Sequence, residues 1–586
     1  MFGVAVPTLR RPSYQNGIYP AAVRKRLRYN ALALSALVAA TAAVAAGTSA
    51  PAAAVSAEPT MKPHSLYRII CDLNGKDIST LKSGCTPAVA ARAEGGPAAK
   101  LAEVNETYDN LGAAYDFFAK YLGRDSVDGK GMPLKALVRV CNGIQCPVTS
   151  PFWSNGYYFV GDQAAVGDDI ATHELTHGIT DYTSNLAYTF QSGAINESLS
   201  DIFGEFEDQV TAVPGTNDQP QNDWLFGEDQ SRYWPVRSLA DPTRAMGRNG
   251  YRSPDRVHSP YYFVSAADID PGSPDDSGGV HYNSGVGNKA AWLIAAPGTH
   301  VFNGQRVTGI GIPKAARIYY RVLQTLPSAA NYPDLADALT TSCASLSAHH
   351  TAGITDTDCL QVQRAVTATE MRLPPLSPAA ALVPPAPVCP TGSSASVLAA
   401  DGFEDAATGP WTVTGQWRNP PAQGTDPAHD DTRYHAYARE GKRALESYTP
   451  TDLTGSSQRQ SIATWKTTIA VPAGTTTYLR FQQAREMSVD EGKNVGAGYV
   501  QYRLDRGQWQ DAGTLFTDNG YTGALDKSSG YGTAKGFTGS THGYTASRLN
   551  LTSLAGHQVG IRFVSVIDKE YISAWWLDDV RAYTCS

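Results

Sequence analysis

No two cysteines in this 586-residue chain are spaced Cys-x-x-Cys, so it lacks the usual clamp of a cysteine-held structural zinc. It also lacks an excess of positive charge: 48 Lys and Arg stand against 55 Asp and Glu, a net charge of −7. That balance gives no electrostatic footprint for nucleic acid or for an anionic membrane, and neither is expected as a partner. No internal repeat is evident. Outside the Ala-rich stretch at 31–46, no run is long and apolar enough to cross a bilayer.

That Ala-rich stretch follows Arg24-Lys25-Arg26 and Arg28, and small residues ending in Val55-Ser56-Ala57 come after it. A basic start, a short apolar core and a small-residue cleavage site make a secretory signal peptide, expected over residues 1–57. The apolar core is short for a membrane anchor. The expectation is a secreted, extracellular protein. Its eight cysteines agree, because an even number in an exported chain reads as disulfides. The simplest pairing is sequential: Cys71–Cys85, Cys141–Cys146, Cys343–Cys359 and Cys389–Cys585.

The chemistry is concentrated between His173 and Asp201. His173-Glu174-Leu175-Thr176-His177 places two imidazoles one helical turn apart on one face, able to reach a single ion. Glu174 sits where it can act on a bound water without ligating the metal. A catalytic zinc takes three protein ligands and keeps one position open. Glu197, twenty residues after His177, is the candidate third ligand from a second helix. Asp201, one turn further on, can hold a ligating imidazole by its other nitrogen. Taken alone, the motif could also be an amphipathic helix with a paired His/Glu face.

The stretches HELTHGITDYTS and SGAINESLSDIFG together resemble the thermolysin-like neutral metalloprotease family (bacillolysins), over roughly residues 65 to 371. The resemblance implies an α+β fold of two lobes, β-rich to about residue 172 and helical after it, within a catalytic region spanning 58–371. It implies zinc on His173, His177 and Glu197, Glu174 as general base, and hydrolysis of internal bonds in protein or peptide substrates. Tyr188 matches a family tyrosine that stabilises the oxyanion. Asp276-Ser-Gly-Gly-Val-His281 resembles the second catalytic block, with His281 facing the zinc and Asp276 holding it charged. Arg237 matches an arginine that bonds the substrate carbonyl. Ser150 and Pro151 stand where the family's edge strand grips the substrate backbone, with Ser150 in place of the usual Asn. Ile170, Phe226 and Val236 match pocket positions, and the loop from Asp162 to Asp168 is shorter than the family's. Asp169, Asp208, Asp223 and Glu228 match carboxylates that bind structural calcium.

Other segments are read from pattern. Apolar residues at helical spacing over Glu103–Tyr121 predict an amphipathic helix, and Leu137–Val140 and Tyr157–Val160 read as strands. Residues 372–395 are Pro- and Ala-rich without periodicity, a linker. Residues 396–586 carry short β-rich runs between Gly/Asp/Thr turns, an all-β, jelly-roll-like sandwich. This region loosely resembles MAM-like or carbohydrate-binding modules, which implies carbohydrate or protein as its ligand, with Glu404, Asp578 and Asp579 as possible calcium ligands. Two rival readings are a pseudoprotease that binds through the sandwich, and an exopeptidase, for which no group recognising a free amino terminus is visible.

Overall fold

The computed structural model describes residues 66–586 apart from 82–83, 142–145, 149, 162–166, 212, 214–215, 217–218, 230–236, 247–249, 251, 265–275, 378–381, 406–407, 421–436, 450–458, 491, 530–531 and 568–572. The expected signal peptide, Val236 and most of the short loop before Asp168 therefore lie outside the described residues. None of the described helices is long and apolar enough to cross a membrane.

The first lobe is built on five strands: β1 (Arg68–Asp72), β2 (Arg92–Ala93), β3 (Leu134–Val138), β4 (Phe152–Ser154) and β5 (Tyr157–Val160). They lie in the order β2-β1-β3-β5-β4, with β1–β3 and β3–β5 parallel. The outer strands β2 and β4 pair antiparallel. Helix α1 (Ala102–Leu122) buries its predicted stripe, Val104, Tyr108, Leu111, Ala114 and Tyr115, against Ile70, Ala136, Val138 and Tyr158 of the sheet. Gly123 ends it in a left-handed conformation, φ 65°.

The second lobe is helical. Its elements are α2 (Asp168–Asp181), α3 (Phe190–Asp208), the paired short strands β6 (Leu225–Phe226) and β7 (Arg237–Ser238), α4 (Asp276–Asn283) and α5 (Gly285–Ala295). The hairpin β8 (Thr299–Phe302) and β9 (Gln305–Thr308) follows, then α6 (Ile312–Thr325), α7 (Tyr332–Ala348) and α8 (Asp356–Ala368). Capping boxes, Asn331 with Asp334 and Thr355 with Asp358, start α7 and α8. Phe203, Phe206, Ile294, Tyr319, Leu339 and Val362 share one core.

Helix α3 is buried at every position from Phe190 to Asp208, carboxylates included. Water cannot solvate those charges, so neighbouring groups must offset them. Its partner α2 comes very close: a Cβ on Gly204 would lie 2.6 Å from the Asp169 carbonyl oxygen. Only glycine permits that approach.

Beyond residue 394 two sheets face each other. One contains 395–401, 417–418, 445–449, 476–486, 516–518, 545–550 and 573–585; the other contains 411–414, 459–465, 469–470, 497–504, 510–511 and 558–567. Their inner faces share a core of Leu479, Phe481, Leu549 and Trp575 from one, and Trp411, Trp465, Ile561 and Phe563 from the other. This is the expected sandwich. All four disulfides form in the sequential pairing.

Two expectations need revision. The second half of the Pro/Ala-rich stretch is docked on the sandwich. Val383 and Pro384 accept hydrogen bonds from Thr545 and Asn519, at 3.0 and 2.7 Å, and Ala386 exchanges bonds with Ala546 and Arg480. Proline carbonyls remain good acceptors although the ring removes the N–H. Glu404, Asp578 and Asp579 are not among the described groups of three able to share a metal. Glu404 instead accepts the amides of Lys442 and Arg443, Asp578 those of Arg439, Glu440 and Asp579, and Asp579 the Arg581 guanidinium.

Candidate metal centre and active site

Helices α2 and α3 bring three ligand atoms together. The Nε2 atoms of His173 and His177 lie 3.0 Å apart. Glu197 places Oε2 3.7 Å from His173 Nε2 and Oε1 3.5 Å from His177 Nε2. Bonds of about 2.0–2.1 Å to one tetrahedral ion separate its ligands by roughly 3.3 Å, so the triangle fits zinc. Two imidazole nitrogens face each other across it, and Glu197 Oε2 is buried without a hydrogen bond. Facing lone pairs and an orphaned carboxylate oxygen call for a cation between them.

The far side of each imidazole is held. His173 Nδ1 lies 2.9 Å from Asp201 Oδ1. His177 Nδ1 lies 2.9 Å from Asn196 Oδ1 and 3.2 Å from Ser200 Oγ. Such contacts fix ring orientation and leave Nε2 as the ligand atom. Burial disfavours charge on both rings. At His173 the bond to Asp201 and the charge of Glu197 outweigh it, and the pKa stands above the ordinary value. At His177 the neighbouring His173 adds to burial, and the pKa stands below.

Asp201 is the hub of this arrangement. Besides His173 it accepts Arg237 Nε and Nη2 at 2.7 and 2.6 Å, and Asn288 Nδ2 at 2.8 Å. Burial pushes its pKa up, but Arg237 and His173 hold it well below the usual carboxylate range. Arg237, matched by resemblance to a substrate-binding arginine, thus commits two donors to Asp201. Its Nη2 is 3.9 Å from Glu197 Oε2, and its guanidinium lies 4.6 Å over the Phe226 ring, which also packs 4.9 Å from His173. Ile170 is buried beside it in the lobe's core.

Across from the triangle stand Tyr188 and His281. The Tyr188 hydroxyl donates to Glu197 Oε1 and lies 3.2 Å from His281 Nε2. His281 Nδ1 is 2.6 Å from Asp276 Oδ1, and its backbone N–H donates to Asp276 Oδ2 at 2.9 Å. Asp276, Ser277, Gly278 and Gly279 all have positive φ, so α4 begins as a left-handed turn that wraps the backbone around Asp276. Burial works against charge on His281, yet Glu197 and Asp276 together raise its pKa to about 9. Glu197 itself, pushed up by burial, is brought down to about 2 by His281, His177, His173 and Arg237. Glu174 is buried in the same helix turn as His173. Ser150 is exposed and Pro151 half-buried, leading into β4, the sheet's edge strand.

A second acidic group lies behind the first. Asp169, Glu205 and Glu228 can share one ion, as can Asp168, Asp169 and Asp229. Burial, with the charge of Asp229, raises Asp169 to about 7, and burial with Asp169 and Glu205 drives Glu228 far above the carboxylate range. Glu228 Oε2 is buried without a hydrogen bond. Asp208 and Asp223 are outside both groups, although Asp208 adds to the repulsion on Glu228, and Asp223 is exposed. Glu205, which sequence reasoning missed, is four residues after Asp201 on the same buried helix. Asn196 and Ser200, also missed, share that i, i+4 spacing. Asn288 carries no local signal.

Comparison with known proteins agrees with this geometry. Residues 71–181 match the family model of the thermolysin metallopeptidase catalytic domain, and residues 184–368 match that of its alpha-helical domain. A zinc metalloproteinase of Renibacterium salmoninarum is 39% identical over 330 residues, 52% of this chain and 58% of that one. An extracellular metalloprotease of Pectobacterium carotovorum subsp. carotovorum is 35% identical over 265 residues, 42% of this chain and 68% of that one. The chain thus spans a little over half the length of the first relative. Among solved structures, the precursor of protealysin, a metalloproteinase from Serratia proteamaculans, is 25% identical with a TM-score of 0.37, covering 53% of this chain and 90% of that one. With the two family models meeting at the helices that carry His173, His177 and Glu197, the chain belongs to the thermolysin metallopeptidase family.

Proposed function

We propose that this chain is a secreted, zinc-dependent endopeptidase that hydrolyses internal peptide bonds. The observation that carries the reading is the meeting of His173, His177 and Glu197 at one point, with Glu174, Tyr188 and His281 around it. When bound there, zinc supplies Lewis acidity to the scissile carbonyl and lowers the pKa of water. The rest falls to the chain's own side chains. Glu174 takes the proton of the attacking water on its carboxylate and returns it to the departing amine. His281, kept charged by Asp276, and the Tyr188 hydroxyl donate to the oxyanion as it forms. The open edge of β4 accepts an extended substrate backbone as an added strand.

Casein hydrolysis by the purified protein tests this. Activity is expected to vanish with 1,10-phenanthroline and return with added zinc. Glu174→Gln is expected to keep its zinc and lose turnover by at least about 100-fold. Release of single amino acids would mean an exopeptidase. No cleavage despite bound zinc would mean a binding protein.

Two finer assignments go with this reading. Calcium occupies the Asp169–Glu205–Glu228 group as a structural ion, because crowded buried carboxylates require a divalent charge. Carbohydrate binds the outer face of the sandwich, where Trp509 is flanked by Arg503 and Arg562 at 4.7 and 4.4 Å from its ring. Retardation on polysaccharide-containing gels, lost in Trp509→Ala, checks the latter.

A further inference from the structure

The sandwich reaches the active site through the turn that carries Tyr188. Ala187 N–H donates to Ser328 O at 2.8 Å. Next to it, Ser328 Oγ accepts Ala438 N–H at 2.8 Å, and Ala329 N–H donates to Ala438 O at 3.0 Å. Ala187 and Ala329 are buried in one apolar cluster with Tyr437, Ala484 and Tyr544, with Trp576 packed against it. Just beyond Tyr188, the Phe190 ring meets His542 edge-on with centroids 5.4 Å apart. Sandwich residues therefore hold the turn both before and after Tyr188.

The other side of the turn touches the loop of His281. A Cβ on Gly278 would lie 2.4 Å from Phe190 Cδ1, and the Thr189 hydroxyl donates to Ser277 O at 3.4 Å. Phe190 has a φ of 45°, left-handed backbone that an aromatic residue adopts only when its surroundings impose it. The sandwich side is itself well anchored. Tyr544 donates to Tyr437 O at 2.7 Å, Asp578 accepts the Arg439 and Glu440 amides, and Arg439 makes a two-point ion pair with Asp334, which completes the capping box of α7 with Asn331.

We propose that Tyr437, Ala438 and His542 are positioning residues of the peptidase. The sandwich is a brace that holds the 187–190 turn so that the Tyr188 hydroxyl points at Glu197 and His281. A donor aimed at developing charge works only within hydrogen-bond reach, and a misplacement near 1 Å costs up to about 100-fold in rate. The inference rests on the endopeptidase reading above.

The test uses the full chain and a blocked peptide with one internal scissile bond, measuring kcat, KM and zinc content. Tyr437→Ala is expected to lower kcat about tenfold with KM changed less than about twofold and zinc unaltered. His542→Ala should show the same signature more weakly, and it carries the test if Tyr437→Ala does not fold. In a Tyr188→Phe background both losses should shrink to less than about twofold, because the group being positioned is gone. Tyr437→Phe, which keeps the ring in the cluster, should retain kcat. Unchanged kcat in His542→Ala and Tyr437→Ala, or the same loss with and without the Tyr188 hydroxyl, overturns the brace. A wild-type chain that cuts no peptide overturns the reading beneath it, and the brace with it.

Discussion

Two sets of buried carboxylates share helices α2 and α3 and have opposite electrostatics. Glu197 and Asp201 lie among His173, His177, His281 and Arg237, and their pKa values fall to about 2 or below the usual range despite burial. Asp169, Glu205 and Glu228 are as buried, but the charges that act most on them are carboxylates, Asp229 on Asp169, Asp169 on Glu205, and Asp169 and Glu205 on Glu228, and all three are raised. The first set is offset in part by cations the chain itself provides, Arg237 and His281, beside the metal that His173, His177 and Glu197 can hold. The second must draw its positive charge from solution, as protons or as an ion. Burial alone decides neither case; the sign of the nearest neighbours does.

Predictions that break this contrast fall in a clear order of size. Glu197→Gln removes the negative member of the zinc triangle and the charge that keeps His281 protonated. Peptide hydrolysis is expected to fall at least about 1000-fold, with zinc lost on dialysis. Asp201→Asn strips the carboxylate from Arg237 and His173 together. Leaving a buried guanidinium without its counter-charge should cost about 3–5 kcal/mol in urea unfolding, and zinc affinity should drop about 10–100-fold.

Calcium removal sharpens the comparison from the other side. With EGTA the melting temperature should fall, and the pH dependence of stability should reverse in sign for this group. A carboxylate whose folded pKa is raised, as Asp169 is to about 7, is protonated in the folded chain and ionised in the unfolded one between about pH 4 and 7. The unfolded state then binds fewer protons, so the chelated protein should lose stability as pH rises through that window. With calcium bound, the loss should disappear. A melting temperature indifferent to both EGTA and pH would remove calcium from the site. The smallest change expected is Ser200→Ala. His177 Nδ1 is also held by Asn196 at 2.9 Å, so kcat/KM should move less than about twofold.

Much of this site was legible because its ligands are local. His173 and His177 are one turn apart, Glu197 and Asp201 are one turn apart, and the motif that carries the first pair and the family resemblance that carries the second are both continuous stretches of sequence. The four disulfides followed from order along the chain. What escaped was set by tertiary approach. Asp201 meets Arg237 from 36 residues away and Asn288 from 87, separations that no periodicity encodes. The resemblance matches Asp223 to a calcium ligand; it is exposed and outside both acidic groups, whereas Glu205 of the buried helix lies with Asp169 and Glu228. The Pro-rich stretch read as a linker because proline signals an absence of helix or strand, and it is silent about which carbonyls a neighbouring sheet will capture.

The strand Ser573–Cys585 runs through the middle of its sheet, hydrogen-bonded to 395–401, 445–449 and 476–486. Strands 445–449 and 476–486 also pair with 417–418 and 545–550, but among the described residues 395–401 is hydrogen-bonded to this strand alone. The sheet behind Tyr437 and His542 is thus stitched together by contacts far apart in the chain, 395–401 with 573–585, and Cys389–Cys585 ties the same two ends covalently.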